Sequence, residues 1–223
     1  MDTKVKGIVL KLIDYKDADK IASIFTLTEG IITAKFTGVK RDKAKMKSVA
    51  QPFTFAEFNI NQKGNLRTIT SADIIDNFNQ ILANYNKTIC GYIILDIIKS
   101  ILPEQKVEDD IFIHTINALK RIETGNEFIA TIDYILKFIS VGGMQLEFGD
   151  SKYNYLDTIS GNFDTKSGQN KKEIDKNVFA LLKSVNDGEN IEFNEINAKR
   201  ALKLLNNILY IKFGEDVKSF MYI

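Results

Sequence analysis

The sequence predicts an α+β protein, with a small β-barrel in its first eighty residues and an all-α domain after it. Residues 1–80 are short alternating apolar segments separated by turn residues, with no helical periodicity between them. From residue 81 onward, apolar residues recur at the three- and four-residue spacing of helices. The chain has 223 residues, of which 44% are hydrophobic, so it is long enough for two domains with cores of their own.

The first domain, residues 1–80, is predicted to contain five strands. In the first of them Ile8, Leu10 and Leu12 are expected to share one face. Residues 61–64 have the composition of a hairpin turn. Five short strands without an intervening helix favour a five-stranded OB-fold, whose strand face and loops commonly bind oligonucleotides. The predicted strands are residues 5–13, 21–26, 31–39, 53–60 and 66–74.

The second domain, residues 81–223, is predicted to be helical. Its first helix is apolar on most faces and is expected at the centre of a bundle. Pro103 should end that helix, Gly142 and Gly143 should end the third, and Gly214 should cap the last. Residues 149–168 are polar and rich in Asn, Ser and Gly, which predicts an irregular excursion. The predicted helices are residues 81–102, 107–122, 127–141, 171–186 and 194–213.

The composition argues against several classes of function. With one cysteine and one histidine, the chain has no disulfide framework and no closed zinc site, and it fits a reducing cytoplasm. No apolar run has the length of a membrane span, and the polar start predicts no signal peptide. His114 falls inside a predicted helix and Cys90 among apolar residues, so a nucleophilic triad is hard to build. There is no Walker A or GxGxxG pattern. We therefore expect a protein that is not an enzyme and uses no cofactor.

A basic run at residues 38–47, here called the basic loop, is the most informative stretch. Together with Lys35 it places six positive side chains and one acid within thirteen residues. A cationic loop between two strands of a small barrel suits a polyanion, and nucleic acid is the best candidate. A solvated loop that keeps the protein soluble is the alternative. The candidate DNA-binding residues are Lys35, Lys40, Arg41, Lys43, Lys45, Lys47 and Arg67.

Nucleic acid held in this way should bind without base readout and should dissociate as salt rises. Aromatic side chains of the barrel, Phe36, Phe53, Phe55 and Phe58, either stack on bases or fill the barrel interior. Residues 1–80 carry an excess of Lys and Arg, whereas residues 81–223 carry an excess of Asp and Glu. The two domains are therefore suited to different partners.

Two further clusters support other hypotheses. On the last predicted helix, Lys199, Arg200 and Lys203 either meet the carboxylates of a partner or form a solvated helix face. Near the first turn, Asp14, Asp17 and Asp19 either bind a metal for hydrolysis, as in a nuclease, or form a solvated turn. The aspartates lack the spacing and glycine of an EF-hand loop.

The order of several motifs resembles the bacterial RecO family of recombination mediators. Residues 7–10 and the acidic turn at residues 15–19 are similar to the family's opening strand and turn. Residues 38–41, followed by Lys43 and Lys45, are similar to its glycine-basic loop. Further similarities lie at residues 25–26 with Gly30, 51–54, 63–64 with Leu66, 72–73, 142–143 and 217–219.

The resemblance implies an OB-fold followed by a helical domain, in a bacterial, cytoplasmic, nucleoid-associated protein. It implies binding of single- and double-stranded DNA and annealing of complementary strands. It also implies action with RecR, and contact with the tail of single-stranded DNA-binding protein, to load the recombinase RecA. The alternative is an adaptor whose helical domain binds that tail while DNA affinity is incidental.

The sequence departs from the family pattern in two places. Many members carry a four-cysteine zinc motif after the third helix. Here Ser151 and Asn154 stand about where the first cysteine pair would be, and no cysteine follows. We therefore predict no zinc, and expect packing to hold residues 149–168 instead. Thr37 replaces the lysine that often precedes the loop glycine.

Overall fold

A closed five-stranded barrel forms the first part of the chain. The computed structural model describes residues 2–63, 66–104, 107–149, 155–189 and 192–223. The strands are β1 (Asp2–Tyr15), β2 (Asp19–Thr26), β3 (Gly30–Phe36), β4 (Phe55–Lys63) and β5 (Leu66–Asp76). The strand order around the barrel is β1-β2-β3-β5-β4, and β1 pairs with both β2 and β4. One parallel pair, β3 with β5, closes it, so the predicted OB-fold is confirmed.

The barrel interior is filled by small aliphatic side chains around two phenylalanines. Phe36 and Phe58 are fully buried and meet edge to face, with ring centroids 6.4 Å apart. Gly7 lets β1 and β2 approach closely, because a Cβ atom there would lie 2.7 Å from the Ile24 side chain and 2.9 Å from the Phe25 carbonyl.

A bulge in β1 changes which of its residues share a face of the strand. The pairing of β1 with β2 shifts register between Val9 and Lys11. Because the extra residue reverses the alternation, Leu12 packs on the interior cluster with Val9, whereas Ile8 and Leu10 are buried outside that cluster. The prediction that Ile8, Leu10 and Leu12 share one face was wrong.

Five α-helices lie within the described residues of the second part. The third has the predicted bounds and ends at Gly142, while Gly214, with φ 74°, caps the fifth as expected. No helix in the described part of the chain has the length and hydrophobicity of a membrane span. The helices are α1 (Tyr85–Ile101), α2 (Asp109–Thr124), α3 (Glu127–Val141), α4 (Lys176–Asn186) and α5 (Glu195–Phe213).

The chain divides into two compact units. One comprises Met1–Leu82 and Leu95–Ile116, and the other comprises Ala83–Ile94 and Asn117–Ile223. In the first unit, Phe112 of α2 packs against the barrel, 5.3 Å from the ring of Phe25 and 5.9 Å from that of Phe55. The predicted domains, residues 1–80 and 81–223, stay a prediction.

The segment predicted to be irregular contributes two strands of a small three-stranded sheet. The strands β6 (Tyr155–Asp157), β7 (Phe163–Asp164) and β8 (Lys171–Glu173) pair in the order β7-β6-β8. Because β8 occupies residues 171–173, α4 begins at Lys176 and not at residue 171 as predicted. In the turn between β6 and β7, the Asp157 N–H donates to the Asn162 carbonyl at 2.9 Å.

Three phenylalanines hold the small sheet against α4. The Phe163 ring lies 4.8 Å from both Phe148 and Phe179, and Phe148 and Phe179 lie 5.8 Å apart. Phe163 and Phe179 are buried. Packing of this kind supplies cohesion to a sheet too small to be stable alone.

We predict that Phe163→Ala loosens this sheet selectively. Truncating a buried phenylalanine costs about 3 kcal/mol, because its contacts are lost and a cavity remains. Hydrogen exchange at residues 155–173 should accelerate while exchange in the barrel strands stays as in the wild type. Phe193→Ala is the control, because Phe193 is 38% exposed. Equal exchange in both variants would contradict a role for the cluster.

Candidate nucleic-acid interface

The basic loop is fastened to the turn between β1 and β2. The Gly38 N–H donates to Asp19 Oδ1 at 2.8 Å, and the Lys40 N–H donates to the Ala18 carbonyl at 3.0 Å. The second carboxylate oxygen of Asp19 lies 3.9 Å from Lys35 Nζ on β3. Gly38 has φ +70°, a conformation that residues with a Cβ rarely adopt. The acidic turn therefore fixes where the loop leaves the barrel.

Apolar side chains fasten the rest of the loop and the residues that follow it. Val39, Val49 and Ala50 are buried in the barrel cluster, and Met46 packs against it. Between these anchors the backbone makes successive tight turns, in which Ala44 N–H donates to the Arg41 carbonyl at 3.1 Å. Residues 38–50 thus contribute apolar side chains to the barrel core and also form a surface that faces solvent.

The far end of the segment is tied to the bulge of β1. The Phe53 N–H donates to the Val9 carbonyl at 3.0 Å, and the Val9 N–H donates to the Thr54 carbonyl at 2.9 Å. Phe53 itself is fully buried with φ 69°. These two bonds join the residues after the basic loop to β1, whereas the start of the loop is joined to β2 through Asp19.

Three of the candidate cations are paired with carboxylates. Lys40 Nζ lies 2.8 Å from Asp14 Oδ2, and Arg67 lies 2.7 Å from Glu29 Oε2, in addition to the longer contact of Lys35 with Asp19. The hydrogen bond from Lys40 holds the pKa of the Asp14 carboxyl below its usual value. Surface pairs of this kind are weak, so they leave the cations able to exchange partners.

The other four candidates face solvent. Arg41, Lys43, Lys45 and Lys47 are exposed. Among the described residues, no carboxylate oxygen lies within the 4.0 Å of an ion pair to any of them. The loop therefore presents positive charge that this part of the chain does not neutralise.

Three of the four barrel phenylalanines are fully buried. Phe36, Phe53 and Phe58 have no exposed surface, and Phe55 packs on Phe112. Phe36 and Phe58 fill the barrel interior, whereas Phe53 is buried outside that cluster and Phe55 is half-buried against Phe112.

The candidate partner-binding cations lie on one side of α5. Lys199 Nζ pairs with Glu195 at 2.9 Å within the helix, and Arg200 lies 3.9 Å from Asp175 Oδ2. Arg200 and Lys203 line a groove of 210 Å³ together with the apolar side chains of Ile174, Val178 and Leu204. The carboxylates of Glu173 and Asp175 also line it, so the groove combines apolar side chains with charges of both signs.

The residues considered for catalysis have other roles. Asp14 and Asp19 bind the basic segment, and no group of three His, Cys, Asp or Glu side chains that could hold a metal occurs within the described residues. Burial raises the pKa of the Cys90 thiol to about 12, which opposes thiolate formation. His114 is half-buried on α2.

Two family models match the chain in succession. The model described as "Recombination protein O N terminal" matches residues 1–78, which include the barrel and its basic loop. The model described as "Recombination protein O C terminal" matches residues 82–219. The chain belongs to the RecO family. The resemblance seen in the motifs is thereby confirmed.

Curated relatives agree with this assignment. A DNA repair protein RecO of Caldicellulosiruptor saccharolyticus is 30% identical over 122 residues, which cover 55% of this chain and 50% of the relative. The proteins of the same name from Shouchella clausii and Clostridium novyi are 27% and 28% identical, with 65% of this chain and 57% of each relative covered. The chain spans about half the length of the curated relatives it matches.

The four-cysteine zinc motif of other RecO members does not fit this chain. Its single cysteine, Cys90, is buried in α1, and four thiolates are therefore not present. Ser151 and Asn154, which stand about where the first cysteine pair would be, lie outside the described residues.

Sequence reasoning missed the role of the acidic turn. It interpreted Asp14, Asp17 and Asp19 as either a metal site or a solvated turn, whereas Asp19 anchors the basic loop and Asp14 pairs with its Lys40. It also missed Lys20, which lies beside the loop with Lys40 and Lys47. The pairing of β1 with β2 brings Lys20 opposite Asp14, which a correct strand register would have indicated.

We predict that Asp19→Ala frees the basic loop. A hydrogen bond from an N–H to a carboxylate contributes about 1.5 kcal/mol or more, and the Asp19 side chain is only 15% exposed. Amide exchange at residues 38–47 should accelerate by about tenfold or more. Asp17→Ala is the matched control, because Asp17 is exposed in the same turn. If Asp17→Ala had the same effect, the anchor would not be Asp19.

Proposed function

We propose that this protein is a DNA repair and recombination mediator that binds DNA through the basic loop of its barrel. It binds single- and double-stranded DNA without sequence specificity and anneals complementary strands. It is not an enzyme. The observation that carries this proposal is the set of four exposed cations on a segment fastened to an OB-fold barrel, in a chain that belongs to the RecO family.

Charge neutralisation is the proposed mechanism. Arg41, Lys43, Lys45 and Lys47 bind phosphates, helped by Lys35, Lys40 and Arg67. Each contact releases counterions, and neutralised strands repel one another less, which allows them to approach and pair. Because the four barrel phenylalanines are buried or packed on α2, the loop makes backbone contacts and base stacking on those rings takes no part.

The partners are proposed from family membership. RecR, and the tail of single-stranded DNA-binding protein, would act with this chain to load RecA, in the bacterial cytoplasm at the nucleoid. The division of charge supports separate surfaces, because residues 1–80 are net positive and residues 81–223 net negative.

We predict that Lys43→Glu with Lys45→Glu weakens DNA binding and its salt dependence. Two lost phosphate contacts should reduce the slope of log K against log salt by about 1.4 for single strands. Fluorescence anisotropy of a labelled single strand across a salt series measures both quantities.

The matched control is Lys120→Glu with Lys137→Glu. Both residues are exposed on helices, and the pair changes the net charge by the same amount. The proposal requires the loop variant to lose affinity and the control to retain it. Equal loss in the two variants would show a non-specific effect of net charge.

The groove beside α5 favours a second function, that of an adaptor. A partner's tail with apolar and acidic side chains would pack on Ile174, Val178 and Leu204, and its carboxylates would compete with Asp175 for Arg200 and meet Lys203. In this alternative the helical domain carries the main activity, with Lys199 adding charge, and DNA affinity is incidental.

We predict that Arg200→Gln with Lys203→Gln weakens binding of such a tail peptide by about tenfold, because two charge-assisted contacts are lost. Titration with a fluorescent peptide of the tail of single-stranded DNA-binding protein measures the change. The same variant should bind DNA like the wild type. If it loses DNA affinity but keeps the peptide, the groove belongs to the DNA path and the adaptor function is wrong.

A further inference from the structure

Two separate concave surfaces flank the basic loop. The first, here called the β5-side surface, has a volume of 390 Å³ and is lined by Arg41, Lys43, Lys45 and Thr70 among others. The second, here called the β2-side surface, has a volume of 360 Å³ and is lined by Lys20, Lys40, Lys47, Asp14 and Gln51 among others. Val39 is the one lining residue that they share. It is buried in the barrel core, so it separates the two surfaces.

The barrel topology explains why there are two. β3 lies between β2 and β5, and the loop leaves the barrel from the end of β3. One flank of the loop therefore borders the β1–β2 hairpin, which contributes Asp14 and Lys20, and the other borders β5, which contributes Thr70. Cations of the loop are divided between the flanks.

The two surfaces differ in charge. The β5-side surface has three cations and no acidic lining residue. The β2-side surface also has three cations, but Asp14 neutralises one of them, since it lies 2.8 Å from Lys40 Nζ. A phosphate backbone is therefore attracted first to the β5-side surface, and the β2-side surface is the weaker site.

We propose that the two flanks of the basic loop bind two different nucleic-acid backbones, the β5-side surface the first strand and the β2-side surface the second. This inference rests on the proposed function and deepens it. The loop then stands between two strands and neutralises both, which places complementary strands side by side. Asp14 weakens the second site, so the second strand is held loosely and is released once paired.

The test separates binding of the first strand from annealing. Three full-length variants are compared with the wild type: Lys43→Gln with Lys45→Gln on the β5-side surface, Lys20→Gln with Lys47→Gln on the β2-side surface, and Lys120→Gln with Lys137→Gln as the control. Anisotropy of a labelled 12-nucleotide strand reports first-strand affinity. Fluorescence energy transfer between two labelled complementary strands reports the annealing rate at saturating protein.

We expect the β5-side variant to lose affinity for the single strand by roughly fivefold or more. The β2-side variant should keep that affinity within about twofold and anneal roughly fivefold more slowly. The control should match the wild type in both assays.

Two results would overturn the inference while leaving the proposed function intact. If the β2-side variant loses first-strand affinity as much as the β5-side variant, the two flanks form one path for one strand. If it anneals as fast as the wild type, the β2-side surface takes no part. A wild-type protein that neither binds nor anneals DNA would overturn the proposed function and this inference together.

A fourth variant tests the role of the β2-side surface if the β2-side variant does not fold. Asp14→Asn removes one carboxylate from an exposed position and frees Lys40. It should raise the annealing rate by about twofold or more while first-strand affinity stays within about twofold. An unchanged or slower annealing rate in a folded Asp14→Asn protein would contradict the inference.

Discussion

The chain between β3 and β4 both fills part of the barrel core and forms the surface proposed to bind DNA. The position of every proposed DNA contact on the loop depends on this packing. Val39, Val49 and Ala50 fill the barrel beside Phe36 and Phe58, so the segment cannot leave the barrel without opening the core. Asp19 sets the start of the segment through the Gly38 N–H, and Val9 sets its end through Phe53 and Thr54. Cations on so constrained a backbone are pre-organised, which reduces the entropy lost when they bind phosphates.

Three carboxylates in this barrel form ion pairs with cations of the proposed DNA-binding surface. Asp14, Asp19 and Glu29 each pair with a cation proposed to contact DNA, and each of those cations is at least partly accessible. Exposed pairs of this type contribute little to stability, and phosphate oxygens compete well for the same donors. The acidic residues therefore tune which cations are available first, and this explains how a loop with many lysines has a stronger and a weaker flank.

Much of the fold followed from the sequence, because strand and helix periodicity depend on local residues. The five strands, the five helices and the caps at Gly142 and Gly214 were predicted within a few residues. The faces of β1 were not, because a single-residue bulge inverts the alternation and is set by long-range bonds of Val9. The sheet β6-β7-β8 was missed because its strands are two or three residues long and their cohesion comes from Phe148, Phe163 and Phe179. Charge density located the basic loop, but only the barrel register reveals that Asp19 anchors it and that Lys20 borders it.

The central claim is that DNA lies on the basic loop, and lysine footprinting tests it most directly. The protein is acetylated briefly at low salt with and without a saturating single strand, and the modified lysines are quantified by mass spectrometry. We expect the single strand to protect Lys43 and Lys45 of the β5-side surface, with no change at Lys120 and Lys137. Protection confined to helix lysines, with Lys43 and Lys45 equally reactive in both samples, would contradict DNA binding on the basic loop.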